Sequence, residues 1–240
     1  VPRAARELKI PHSRVKDWAT GERMPRKLSL NLHEHRQTRQ RQQPEVIEGR
    51  HHELGYLWGI PAVDRLSTRV DKRNGAVRFI VSTNSRHIAD EVELSVQKAF
   101  GVNVNRPAPK KVPNAKRLTH VVNLDALNLV KHFADHIGNP EQILSHLPDT
   151  PEARLGFTRA VYDLGKTWVS GRPGRKSIVF WHEDPKVREL VSQTLSEQGV
   201  EHEITEKRGT PAVVIRPENV ADFRRTVHFR AADKRERLQK

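Results

Sequence analysis

Two periodicities alternate along most of the chain, and the order in which they alternate occurs twice. Residues 54–63 form a short apolar segment that predicts a helix. Strands are predicted near 68–70 and 77–82. Ile88, Val92, Val96 and Phe100 then fall on one face of a helix that Gly101 ends. Two further strands fit 102–104 and 118–124. Asp125 can cap a helix carrying Leu127, Val130, Phe133 and Ile137, and Gly138-Asn139-Pro140 is expected to stop it. The pattern then restarts. Residues 153–164 predict an apolar helix, with strands at 167–169 and 177–181. Asp184-Pro185 opens a helix carrying Val187, Leu190, Val191 and Leu195, ended by Gly199. Strands fit 201–205 and 212–216, and Val220, Phe223 and Val227 lie on a last helix.

The repeated unit is therefore helix–strand–strand–helix–strand–strand–helix. Phe79-Ile80-Val81 matches Ile178-Val179-Phe180, and Gly101-Val102 matches Gly199-Val200. This predicts an α+β fold of two pseudo-twofold units joined at their first helices, with their antiparallel sheets forming a saddle. A two-stranded ribbon of such a saddle suits a DNA major groove. The expected units are 53–149 and 150–229.

The segments outside the units read differently. Residues 1–32 contain two short helical stretches around Lys9-Ile10-Pro11, with Ala5, Leu8, Ile10, Val15 and Trp18 as a small core. Gly21 and Pro25 end the second stretch. The pattern resembles part of a helix-turn-helix, whose second helix would bring Arg14 and Lys16 to a major groove. Residues 33–52 read as a polar, basic linker, and 230–240 as a basic, frayed tail.

Charge sharpens this picture. Among 240 residues there are 43 Lys and Arg against 29 Asp and Glu, a formal net charge of +14. Such an excess favours a polyanionic partner, because Lys and Arg displace counterions from a phosphate backbone. There is no cysteine, which excludes a disulfide framework and cysteine-ligated zinc. No apolar run is long enough to span a bilayer, and a cytoplasmic, monomeric protein is expected. The thirteen histidines, including His33/His35, His51/His52 and His182, lack spacing matched to a third ligand and read as solvent or phosphate contacts. No glycine-rich phosphate loop or nucleophile elbow occurs.

The first helix of each unit carries the most specific signal. Leu57-Trp58-Gly59-Ile60-Pro61-Ala62-Val63-Asp64-Arg65 resembles a LAGLIDADG motif, and Phe157-Thr158-Arg159-Ala160-Val161-Tyr162-Asp163-Leu164-Gly165-Lys166 resembles the second motif of that homing-endonuclease family. The resemblance covers about residues 53–229. It implies that Gly59 and Ala160 are the positions at which the two motif helices pack. It also implies a duplex-DNA partner, an association with intron or intein mobility, and Mg²⁺ held between one acid from each helix end.

Asp64 stands where the first acid belongs, as catalytic and metal-binding residue. The second acid position is Gly165. Asp163, two residues earlier, is the second catalytic candidate, although it lies about 200° round the helix and should face away from the axis. Arg65 and Lys166 add positive charge beside the site. The resemblance thus implies DNA binding with impaired endonuclease activity. The alternative on the same scaffold is a non-catalytic regulator, or a maturase-like protein that binds structured RNA. Arg69, Lys72, Arg73, Arg78, Arg172, Arg175 and Lys176 are the expected nucleic-acid contacts on the strands.

Overall fold

The computed structural model describes residues 47–63, 66–70, 77–111, 118–124, 140–172, 174–207 and 209–239, with backbone alone for 66–70, 77–79, 110–111, 124 and 233. All of them fall in one compact unit, Gln43–Lys240. The partial helix-turn-helix, most of the linker, and the helix expected around Leu127 to Ile137 lie outside the described residues.

Helix α1 (His51–Ala62) is buried from Leu54 to Ala62, as a helix with no polar face must be. Pro61 falls in its last turn, so the missing N–H removes little before the helix ends. Strands β1 (Leu66–Val70) and β2 (Val77–Thr83) follow. Next is helix α2 (Arg86–Phe100), which buries Ile88, Val92 and Val96 and ends at Gly101 with φ of 66°. Strands β3 (Lys110–Lys111) and β4 (Leu118–Leu124) complete an antiparallel sheet of order β1-β2-β4-β3.

Two expectations change here. Residues 102–104 form no strand, and the chain touches the sheet through a single bridge, Asn105 to Asn123. Pro107 and Pro109 follow at once, and neither can donate to a ladder. Pro140 opens a helix that the sequence pattern did not mark. Helix α3 (Pro140–Ser145) starts on it, as suits a residue with no N–H to leave unpaired.

The second unit repeats the order. Helix α4 (Pro151–Leu164) is capped by Thr150, whose Oγ1 accepts from Ala153 N at 3.2 Å. Strands β5 (Lys166–Arg172) and β6 (Arg175–Trp181) are followed by helix α5 (Pro185–Glu197). The Asp184 carboxylate caps α5, accepting from Lys186 N at 2.8 Å and Val187 N at 3.2 Å. Strands β7 (Glu203–Lys207) and β8 (Thr210–Ile215) give a sheet of order β5-β6-β8-β7, the same topology as the first. A 3₁₀ turn (Pro217–Asn219) leads into helix α6 (Val220–Thr226).

The tail is not frayed. Helix α7 (Ala232–Gln239) folds back beside β5 and buries Leu238. Its start is fixed by Asp163, as described below.

Helices α1 and α4 cross at backbone contact. A Cβ on Gly55 would lie 2.0 Å from the Ala153 carbonyl oxygen, and one on Gly156 2.0 Å from that of His52. One turn further along, a Cβ on Gly59 would lie 2.6 Å from Ala160 Cβ. Four small residues thus let two helices meet where side chains would hold them apart. The inward faces of both sheets, including Val81, Val122, Ile178, Phe180, Val213 and Ile215, close the core around this pair. No helix among the described residues is long and apolar enough to cross a membrane.

Candidate functional site

The shared end of α1 and α4 is the place to look for chemistry. Val63 follows α1 directly, and a Cβ on Gly165 would lie 3.1 Å from Val63 Cγ1. Two cavities flank this point. One, of about 550 Å³, is lined by Ala62, Val63, Gly165, Lys166, His182 and Glu183, among others. The other, of about 280 Å³, is lined by Ser82, Asn84, Thr119, Asp163, Gly165 and Lys234. Asp64 and Arg65 lie outside the described residues.

The α4 side of this end is organised around a cation. Lys234, from α7, donates to the carbonyls of Tyr162 at 2.6 Å, Asp163 at 2.8 Å and Gly165 at 3.4 Å. These are the last carbonyls of a helix, which carry its partial negative charge and have no partner within it. The ammonium satisfies them.

Asp163, expected to face away from the axis, lies between Tyr56 of α1 and the start of α7. It is 3% exposed. Oδ1 accepts from Arg230 N at 2.9 Å and Ala231 N at 3.0 Å, and Tyr56 Oη donates to Oδ2 at 3.4 Å. Burial raises its pKa to about 6, against the lowering effect of these backbone bonds and of Lys234. Burial likewise raises the Tyr56 phenol, reinforced by the charge of Asp163. In this arrangement the carboxylate anchors the start of α7.

These residues do not fit a paired-acid metal site on the α4 side. Gly165 supplies only a carbonyl, and that carbonyl is shared with an ammonium. A side chain there would meet the Val161 carbonyl oxygen at 2.5 Å, so the position does not accept an acid without a shift of the helix end. No group of three His, Asp or Glu among the described residues has the spacing of a metal centre.

At the opposite end of the helix pair, Arg159 ties three segments together. It donates to His52 Nε2 at 2.7 Å, to the Val227 carbonyl at 2.8 Å and to the Thr226 carbonyl at 2.9 Å. Burial lowers its pKa to about 10, and Arg230 adds like-charge repulsion. Burial and Arg159 together lower His52 to about 4, and the same causes lower His228 to about 4. His228 also has φ of 43°, a left-handed conformation. Thus His52 is not a solvent contact. His182 is half-buried, and its Nε2 lies 2.8 Å from the Ala62 carbonyl oxygen.

The expected nucleic-acid contacts separate into two groups. Arg172 and Arg175 face each other at the exposed end of the β5–β6 ribbon. Lys176, half-buried, donates to the Gly171 carbonyl at 2.9 Å. In the first sheet the backbone register pairs Arg69 with Arg78. Lys72 and Arg73 lie outside the described residues, as do Arg14 and Lys16.

Gly55, Gly156, Arg159 and Lys234 were not singled out from the sequence. The first two were readable there, since Gly55 and Gly59, and Gly156 and Ala160, share a four-residue spacing that places small residues on one helix face. Lys234 had no signal, because its partners are 69 to 72 residues away in the chain.

Two units of one topology, packed helix to helix through small residues with a sheet on each side, define the LAGLIDADG homing-endonuclease fold. Solved structures with this fold include the homing endonuclease I-DmoI in complex with DNA and manganese. It is 19% identical, covers 75% of this chain and 98% of its own, and has a TM-score of 0.51. The homing endonuclease I-WcaI, bound to its DNA recognition sequence, is 11% identical, covers 84% of this chain and 91% of its own, and has a TM-score of 0.53. No family model matches the chain, and no curated protein matches it.

Proposed function

We propose that this protein binds duplex DNA across the outward faces of its two sheets, and that it does not make metal-dependent double-strand breaks. The observation that carries the binding half is the pairing of like charges across neighbouring strands. Arg172 stands opposite Arg175, and Arg69 opposite Arg78. Directly opposed like charges destabilise a sheet. A phosphate backbone offsets that cost and gains counterion release as well. The net charge of +14 agrees, as do the DNA complexes of I-DmoI and I-WcaI.

The α4 helix end supports the second half of the proposal. Cleavage of both strands by a two-metal mechanism needs a ligand from each half. By the resemblance the first acid is Asp64, while the second motif offers Gly165, whose carbonyl accepts from the Lys234 ammonium. Divalent metal at Asp64 alone would serve at most one strand. This favours a binder over a nuclease, and Arg14 and Lys16 of the N-terminal segment would add a second contact in a major groove.

Duplex affinity measured across a salt series tests the binding, with a steep fall expected as salt rises. Arg175→Ala should weaken binding about equally on unrelated sequences and make the salt slope shallower. Salt-independent affinity, or affinity for structured RNA alone, would refute it. Incubation with a duplex library in Mg²⁺ or Mn²⁺ tests the chemistry. Double-strand cleavage that Asp64→Asn abolishes would show that another group replaces the second acid.

A further inference from the structure

The outward face of the second sheet is not built like that of the first. An antiparallel sheet with one buried face should present polar side chains on the other. On the second sheet the central outward positions are Trp168, Val179, Trp181, Ala212 and Val214. Val179, Ala212 and Val214 form an apolar cluster separate from the main core, with Trp181 packed against it. Trp168 is 52% exposed.

We infer that this face is a pocket for a single unstacked nucleobase of the bound nucleic acid. A cavity of about 510 Å³ opens there, lined by Trp168, Ser170, Ser177, Val179, Trp181 and Lys207 among others. That is within the roughly 300–1,000 Å³ of small-molecule sites. Two indoles line it, the kind of side chain on which unpaired bases stack. Ser170 and Ser177 stand opposite each other in the register, so two hydroxyls at the rim can serve the polar edge of a base.

The border of the pocket is cationic. Lys207 lines it, and Arg172 and Arg175 close the end of the ribbon. Arg237 of α7 reaches over Trp168, its Cζ 5.7 Å from the ring centroid. Glu203, on the same sheet face, is held in an ion pair with Arg216 at 2.6 Å. A small apolar floor ringed by cations and hydroxyls matches a nucleotide: an apolar ring, a polar edge and an anionic phosphate. An apolar protein segment would not use the cations.

The inference rests on the duplex-binding proposal, and the test separates the two. Fluorescence anisotropy would compare three duplexes of one sequence: fully paired, with one extrahelical adenine, and with an extrahelical abasic residue at the same site. The abasic duplex has the same backbone flexibility without the base. The full chain should bind the adenine bulge about ten-fold more tightly than the abasic bulge, the scale of one base–aromatic stack. Trp168→Ala and Trp181→Ala should each reduce that ratio to about two-fold or less. Trp168→Phe should keep most of it. Circular dichroism of each variant confirms folding, which the exposure of Trp168 makes secure.

A second readout is independent of affinity. 2-Aminopurine at the bulge should lose fluorescence on binding the natural chain and keep it on binding Trp168→Ala. Equal affinity for the adenine and abasic bulges, with the paired duplex still bound, would overturn the pocket and leave duplex binding standing. A preference that survives both Trp→Ala changes would also overturn it. Binding to none of the three duplexes would overturn both proposals.

Discussion

Three matched positions separate the two halves of this molecule. The register places Ser67 opposite Ile80 and Asn123 opposite Ile80 from the other side, with Ser82 two residues along the same strand. In the second half Trp168 and Val214 stand opposite Val179, with Trp181 two residues along. Topology, helix spacing and the terminating glycines at 101 and 199 are alike, with φ of 66° and 68°. At these register positions the halves differ: Ser, Ser and Asn stand against Trp, Trp and Val. The inward faces have to fill one shared core, and they stay alike. The outward faces and the helix ends carry no such constraint, and there the halves have diverged. The second half holds an aromatic floor and a helix end neutralised by Lys234.

The helix crossing is where the halves depend on each other most, and breaking it should have the largest effect. Gly156→Ala puts a Cβ 2.0 Å from a backbone oxygen that cannot rotate away. We expect a loss of about 3 kcal/mol or more, since α1 and α4 must separate. Urea unfolding followed by circular dichroism measures it. A loss below about 1 kcal/mol would mean that the helices can part without cost, contrary to the packing.

Arg159→Ala should come next. It leaves the Thr226 and Val227 carbonyls without their donor and His52 without its partner. A buried acceptor left unpaired costs about 1–3 kcal/mol, so a total near 2–3 kcal/mol is expected. Arg159→Lys can restore only part of it, because an ammonium cannot match the fixed fork of a guanidinium. Full recovery with Lys would show that charge alone matters there.

A smaller effect depends on pH. His52 and His228 are lowered to about 4 from the 6.5 of a free imidazole. Their contribution to stability is complete above pH 6.5 and is lost as pH falls toward 4. Asp163, raised to about 6 from 3.8, works oppositely: its contribution is complete below pH 3.8 and lost as pH rises through 6. Two imidazoles outweigh one carboxyl, so the urea midpoint should fall between pH 6.5 and pH 4. Replacing both histidines by Gln should remove that fall and expose the opposite slope from Asp163. A profile unchanged by the double substitution would place the titration elsewhere.

The smallest effect concerns the aromatic cluster of the second half. Tyr162 is buried among Phe180, Phe223 and Phe229, and its hydroxyl has no hydrogen-bond partner among the described residues. Tyr162→Phe removes an unsatisfied polar atom, so thermal stability should stay level or rise by up to about 1 kcal/mol. A clear loss would reveal a partner for that hydroxyl.

The sequence by itself determined the repeat. Alternation at period 2 and period 3.6 is a local property, written in residues that sit side by side, and it placed both sheets and the paired helices. The glycines at 59, 101 and 199 were legible for the same reason, since each answers to a nearby backbone demand. That Gly165 stands where the resemblance implies a second acid was also readable, because an acid is either encoded or it is not. Only the tertiary structure decided what fills that position. Lys234 arrives from a segment that composition marked as a loose basic tail, and it docks because Asp163 has paired with the backbone of Arg230 and Ala231. Likewise, Trp168 and Trp181 read as ordinary strand residues until the register put them on one outward face. Side-chain partners brought together by strand pairing and chain return depend on distances that no local pattern encodes.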